Sequence, residues 1–80
     1  MTHEEIIKAW FAIDELGGEN VYTELSSFHI CGKNDKLYRA EITCGEAYNV
    51  YSIAADRYKA MERTINEYSA WADNFKVEGE

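Results

Sequence analysis

The chain has 80 residues and a formal net charge of −7, with fifteen Asp and Glu against eight Lys and Arg, and it is 46% hydrophobic and 14% aromatic. That size holds one domain, near the lower limit for a self-supporting core, and the aromatic content separates it from acidic disordered chains. The carboxylate excess disfavours direct binding to nucleic acid or an anionic membrane, because like charges repel at long range, and it favours basic partners.

The first predicted element is a helix. Thr2 and Glu5 have the spacing of a capping box, in which the hydroxyl and the carboxylate satisfy each other's early backbone N–H. Ile6, Ala9, Trp10, Ile13 and Leu16 then recur at helical spacing and define a core face, and Gly17-Gly18 marks the stop. Residues 21–31 read as a strand whose alternation breaks at Ser26-Ser27, so a bulge is expected there to bring Phe28 and Ile30 onto the side of Val21, Thr23 and Leu25. After the turn Gly32-Lys33-Asn34-Asp35, Leu37–Cys44 alternates as a second strand, with Tyr38, Ala40, Ile42 and Cys44 on one face. Gly45-Glu46 fits a two-residue hairpin turn into a third strand at about Ala47–Ile53. Ala54, Tyr58, Met61, Ile65, Tyr68, Ala72 and Phe75 form a single 4-3 stripe on a second helix, with Ser52 or Asp56 as its cap and a tail that frays from Val77. The outer face of this helix carries Asp56, Lys59, Arg63, Glu67 and Asp73.

The expected architecture is therefore a single α+β domain, ordered α-β-β-β-α, with a three-stranded antiparallel meander and two helices on one face. The other sheet face is left open, displaying His29, Leu37, Arg39, Glu41, Thr43, Tyr48 and Val50. An open face or edge strand of this kind makes a homodimer an option.

The chemistry-bearing residues point away from catalysis. His29-x-Cys31 shares a strand face, yet a structural zinc site needs four ligands. His3 and Cys44 are the remaining candidates, and Cys44 falls about 23 Å along the second strand from the first turn. The same spacing argues against a disulfide, so two free thiols, no metal and no cofactor are expected. Ser26, Ser27 and His29 come without a glycine elbow or an orienting third group, and no Gly-rich phosphate loop is present. Solvated carboxylates such as Glu4-Glu5 and Asp14-Glu15 make poor general acids, and an enzyme is not expected. Thr2-His3-Glu4-Glu5 is acidic where a secretory leader is positive, and no apolar run approaches a bilayer span, so a cytoplasmic location is the expectation.

Charge is concentrated at the start. Residues 1–20 hold Glu4, Glu5, Asp14, Glu15 and Glu19 against Lys8 alone, a net of −4, whereas residues 21–53 net −1 and residues 54–80 net −2. Ile7 and Phe11 lie off the main stripe of this helix, either packed under the second helix or a loop or standing out as an aromatic anchor rimmed by Glu4, Asp14 and Glu15. Glu4, Ile7, Phe11, Asp14, Glu15, Glu19 and Tyr48 are accordingly the candidate partner-binding residues.

Two resemblances follow. The α-β-β-β-α order resembles a double-stranded RNA-binding domain, whose RNA-contacting positions correspond to Lys33 and Lys36 in the loop and Arg57 and Lys59 opening the second helix. Here that opening reads Asp56-Arg57-Tyr58-Lys59, and the first helix is acidic. A short acidic domain lacking catalytic motifs also resembles the small phage-encoded anti-CRISPR inhibitors, by type rather than by motif. That resemblance implies a basic nucleic-acid-handling partner, such as a CRISPR effector subunit, occupied by carboxylate mimicry. An RNA-binding module and an antitoxin-like homodimer are the alternative expectations.

Overall fold

The computed structural model describes residues 1–17, 20–30, 32 and 34–79, with side chains described as far as residue 73. The first helix, α1 (His3–Gly17), starts where the capping box predicts. Glu5 N donates to Thr2 Oγ1 at 3.2 Å, and Thr2 N donates to Glu5 Oε1 at 3.1 Å. Ile6 and Trp10 are buried and Ala9 and Ile13 pack against the core. Leu16 is not part of that stripe. It is 88% exposed, because the 3-4 progression from Trp10 through Ile13 ends on Gly17 instead.

Gly17 has an ordinary helical conformation rather than a positive φ. What the position requires is space, since a Cβ built there would run into the Val21 side chain. Gly18, the second glycine of the expected stop, lies outside the described residues.

Three strands follow, β1 (Val21–His29), β2 (Lys36–Cys44) and β3 (Tyr48–Ala54), in the order β1-β2-β3 and antiparallel throughout. The expected bulge at Ser26-Ser27 is absent: the β1–β2 register runs without interruption from Val21↔Cys44 to His29↔Lys36. With no bulge, Phe28 keeps the parity opposite to Thr23 and Leu25 and stays on the open face with Leu37, and Phe28 and Ile30 remain substantially exposed. The unbroken register also gives His29 the parity of Leu25, on the helix side, where it is nonetheless exposed.

The β2–β3 loop is one residue longer than a two-residue turn. Cys44 pairs with Tyr48 across Gly45, Glu46 and Ala47, with Gly45 at φ 54° and Ala47 N donating to Cys44 O at 3.0 Å. Because side chains alternate with period two, that extra residue exchanges the faces of β3. Tyr48 and Val50 point to the helices, and Asn49, Tyr51 and Ile53 take the open face.

The second helix, α2 (Arg57–Gly79), is capped by Asp56, whose Oδ1 accepts from Tyr58 N at 2.7 Å and Lys59 N at 3.3 Å. It continues through Gly79, past the expected fraying at Val77; the Phe75 side chain lies outside those described. Helix α2 packs on β2 and β3 while α1 packs on β1 and α2, so both cover one sheet face. The core is Ile6, Trp10, Ala40, Ile42, Ala60, Met61 and Ile65, with Thr64 the one buried polar residue among those described.

Candidate partner-binding surfaces

A helix turns 100° per residue, so Glu4, Ile7, Phe11, Asp14 and Glu15 fall on one flank of α1, turned from the core stripe of Ile6, Trp10 and Ile13. The alternative in which Ile7 and Phe11 pack beneath α2 is not realised: Ile7 is 38% exposed and Phe11 59%. Together with Trp10, Leu25, Arg57, Tyr58 and Met61 they line an open groove of about 310 Å³ between α1, β1 and the first turns of α2.

Carboxylates surround it. Glu4 is exposed and 3.5 Å from Lys8 Nζ, a surface pair of small energetic weight. Thr23 Oγ1 donates to Asp14 Oδ1 at 3.3 Å, which ties the end of α1 to β1, and Glu15 is exposed. Glu5 is committed to the cap, and the backbone and hydroxyl of Thr2 hold its carboxyl below the ordinary value. Glu19 lies outside the described residues.

Tyr48 does not join this surface. Its ring stacks on Trp71 at 4.3 Å and 9°, and its hydroxyl donates to the Glu67 carbonyl at 3.3 Å. Burial raises the phenol pKa, with the nearby Glu67 charge adding to the effect. The loop that exchanged the faces of β3 accounts for the correction.

The open sheet face carries an ordered polar network. Arg39 Nη1 and Nη2 donate to Glu41 at 3.3 and 2.9 Å, Asn49 Nδ2 donates to Glu41 at 3.0 Å and to Thr43 at 2.7 Å, and the Arg39 guanidinium lies 4.6 Å from the centre of the Tyr51 ring. Tyr22, Phe28, Tyr51 and Ile53 stand around it.

At the end where β2 begins, Lys36 and Arg57 approach the Tyr38 ring at 5.5 and 5.4 Å, and His3 stacks on Tyr58 at 3.8 Å. Of the RNA-type basic residues, Lys36 and Arg57 are thus brought together. Lys59 is exposed nearby on the helix and Lys33 is outside the described residues.

Among the described residues no group of three or more His, Cys, Asp or Glu converges as a metal site. Cys44 is a free thiol, and Cys31, the other half of the His29-x-Cys31 pair, is not among the described residues. No helix among the described residues is long and apolar enough to cross a membrane. The periodicity of single elements could not reveal the groove, because Leu25, Arg57, Tyr58 and Met61 reach it from two other elements; the signal that was available was the excess apolar width of α1.

No protein-family model, curated protein or solved structure matches the chain.

Proposed function

We propose that the chain is a non-enzymatic binding protein that occupies a basic, nucleic-acid-handling protein through the outer flank of α1. The observation that carries this reading is the pairing of exposed Ile7 and Phe11, at the mouth of an apolar groove, with exposed Glu4, Asp14 and Glu15 around them. Buried aromatic anchors supply most of the energy at protein interfaces, while rim charges govern encounter rate and salt dependence. A phosphate-like arrangement of carboxylates on such a flank fits a cationic groove built for nucleic acid. The specific form of the proposal is an anti-CRISPR-type inhibitor that blocks the nucleic-acid site of an effector complex.

The test is a pull-down from bacterial lysate with the wild-type chain and two variants, Phe11→Ala and a Gln replacement of Glu4, Asp14, Glu15 and Glu19. Recovery of a basic protein that salt weakens, nucleic acid competes away and both variants lose supports the reading. Recovery unaffected by the four Gln substitutions removes the mimicry.

A second reading is favoured by one observation, the convergence of Lys36 and Arg57 on Tyr38 beside the start of α2. It is a small double-stranded RNA-binding module using Lys33, Lys36, Arg57 and Lys59, and a gel shift with duplex RNA at low salt separates it from the first.

A further inference from the structure

Strand β3 is an edge of the sheet, paired only with β2. Natural edge strands are guarded against pairing by charges, prolines or bulges. Strand β3, Tyr48-Asn49-Val50-Tyr51-Ser52-Ile53-Ala54, has none of these, and among the described elements it is the one without a charged residue. The other edge differs. Glu24 lies within β1, and Asp14 is held against it through Thr23.

The helix above β3 sharpens the picture. Helix α2 lies over both β2 and β3. Strands are spaced by about 4.8 Å, so a helix centred between them stands about 5 Å from a two-fold axis perpendicular to the sheet at the free edge of β3, and about 10 Å from its own copy on the same face. That is the distance at which helices pack. Edge pairing and helix packing are satisfied by one symmetry operation.

The charges on the facing flank are complementary under that operation. Glu62 turns toward α1, where it pairs with the Met1 amine at 3.1 Å, and Trp71 turns toward β3 to stack on Tyr48. Arg63 and Glu67 are one turn apart between the outer surface and the β3 side, and the Tyr48 hydroxyl bonded to the Glu67 carbonyl fixes that flank above the strand. Both are exposed and neither makes an ion pair within the described residues. The level of Ser52, opposite Ala40, matches that of Thr64, whose hydroxyl reaches the Ala40 carbonyl. A two-fold axis near Tyr51 therefore runs the two helices antiparallel with Arg63 of each copy beside Glu67 of the other.

We propose that a second copy of this chain docks on the β3 edge, forming a continuous six-stranded sheet with Tyr51 opposite Tyr51 and reciprocal Arg63–Glu67 pairs between the two α2 helices. A strand seam and a helix seam together would bury on the order of 1,200 Å², the lower range for a specific interface. The α1 flank and its groove remain free on both copies.

Sedimentation equilibrium of the full chain tests this, with circular dichroism to confirm that each variant is folded. A dimer is expected. Arg63→Glu and Glu67→Arg should each weaken it about tenfold or more, and the double reversal should restore it, because the swapped charges again face opposite signs. Tyr51→Glu, which sets two carboxylates opposite each other on the axis, should yield monomer, while Phe11→Glu should not. A chain that stays monomeric up to about 100 μM, at which a dimer of dissociation constant about 10 μM or tighter is mostly assembled, overturns the proposal. So does a dimer indifferent to the charge reversals, or one that Phe11→Glu abolishes.

Discussion

Thr64 of α2 and Ala40 of β2, both fully buried, are joined by a hydrogen bond of 3.0 Å from the threonine hydroxyl to the alanine carbonyl. The same hydroxyl lies 2.9 Å from the Ala60 carbonyl one turn back in its own helix. It has a single proton to share between two acceptors, and among the described residues it is the only buried polar side chain spanning helix and sheet. Replacing Thr64 with Val keeps the shape and removes the donor. That variant is expected to lose about 1 to 2 kcal/mol, read as a lower urea midpoint at unchanged slope. An unchanged midpoint shows that the bond contributes nothing.

The Gly17 position leads to a result opposite to helix propensity. Alanine is the better helix former by about 1 kcal/mol in an open helix. Here its methyl would meet Val21, so Gly17→Ala is expected to destabilise by about 1 to 3 kcal/mol as the helix end is pushed off β1. Pairing it with Val21→Ala should recover part of the loss, and thermal melts of the two single variants and the double variant measure that coupling.

Trp10 and Phe11 are sequence neighbours with opposite expected roles. Trp10 is in the core, and Trp10→Ala should cost about 3 to 5 kcal/mol and leave little folded protein. Phe11 is mostly exposed, and Phe11→Ala should shift folding stability by no more than about 0.5 kcal/mol. Loss of partner recovery by a Phe11→Ala chain of normal stability is the signature of a binding residue. A large stability loss from Phe11→Ala instead makes the side chain structural.

On the open face, the Asn49 amide and then Arg39 hold the Glu41 carboxyl below its ordinary value of 4.5. A depressed folded-state pKa means that the stabilisation is present above the ordinary value and lost as the pH falls through the lower, folded one. Stability should therefore decline below pH 4.5, and Glu41→Gln should flatten that part of the curve. Urea midpoints measured across the acid range check it. Glu5, held by Thr2, titrates in the same direction, so some slope remains in the variant.

The order and type of all five elements were legible because each signal was local. The Thr2–Glu5 box, the Asp56 cap and the 4-3 stripe of α2 depend on neighbours within a turn or two of helix. What was not legible depended on matching one element to another. A single loop residue, Ala47, decided whether Tyr48 or Tyr51 faced the helices, and turn composition alone does not count loop residues that finely. The bulge at Ser26-Ser27 was inferred on the premise that Phe28 and Ile30 must be covered, but the register runs unbroken and leaves Phe28 on the open face. In the candidate site, the width of the apolar arc singled out Ile7 and Phe11, whereas Leu25, Arg57 and Tyr58 became neighbours only through tertiary packing.

The meander also governs how quickly the chain finds its fold. Every strand pairs with the one next to it in sequence, across loops of a few residues, so the sheet is assembled without a long-range crossover. Local pairing of this kind keeps the entropy of loop closure small and places such domains among the faster folders, on the order of milliseconds. The chain contains no proline, which removes the slow isomerisation that delays many small proteins. Refolding from urea is therefore expected to be a single fast phase, with the docking of α2 over β2 and β3 and against α1 as the steps that bring distant parts of the chain together.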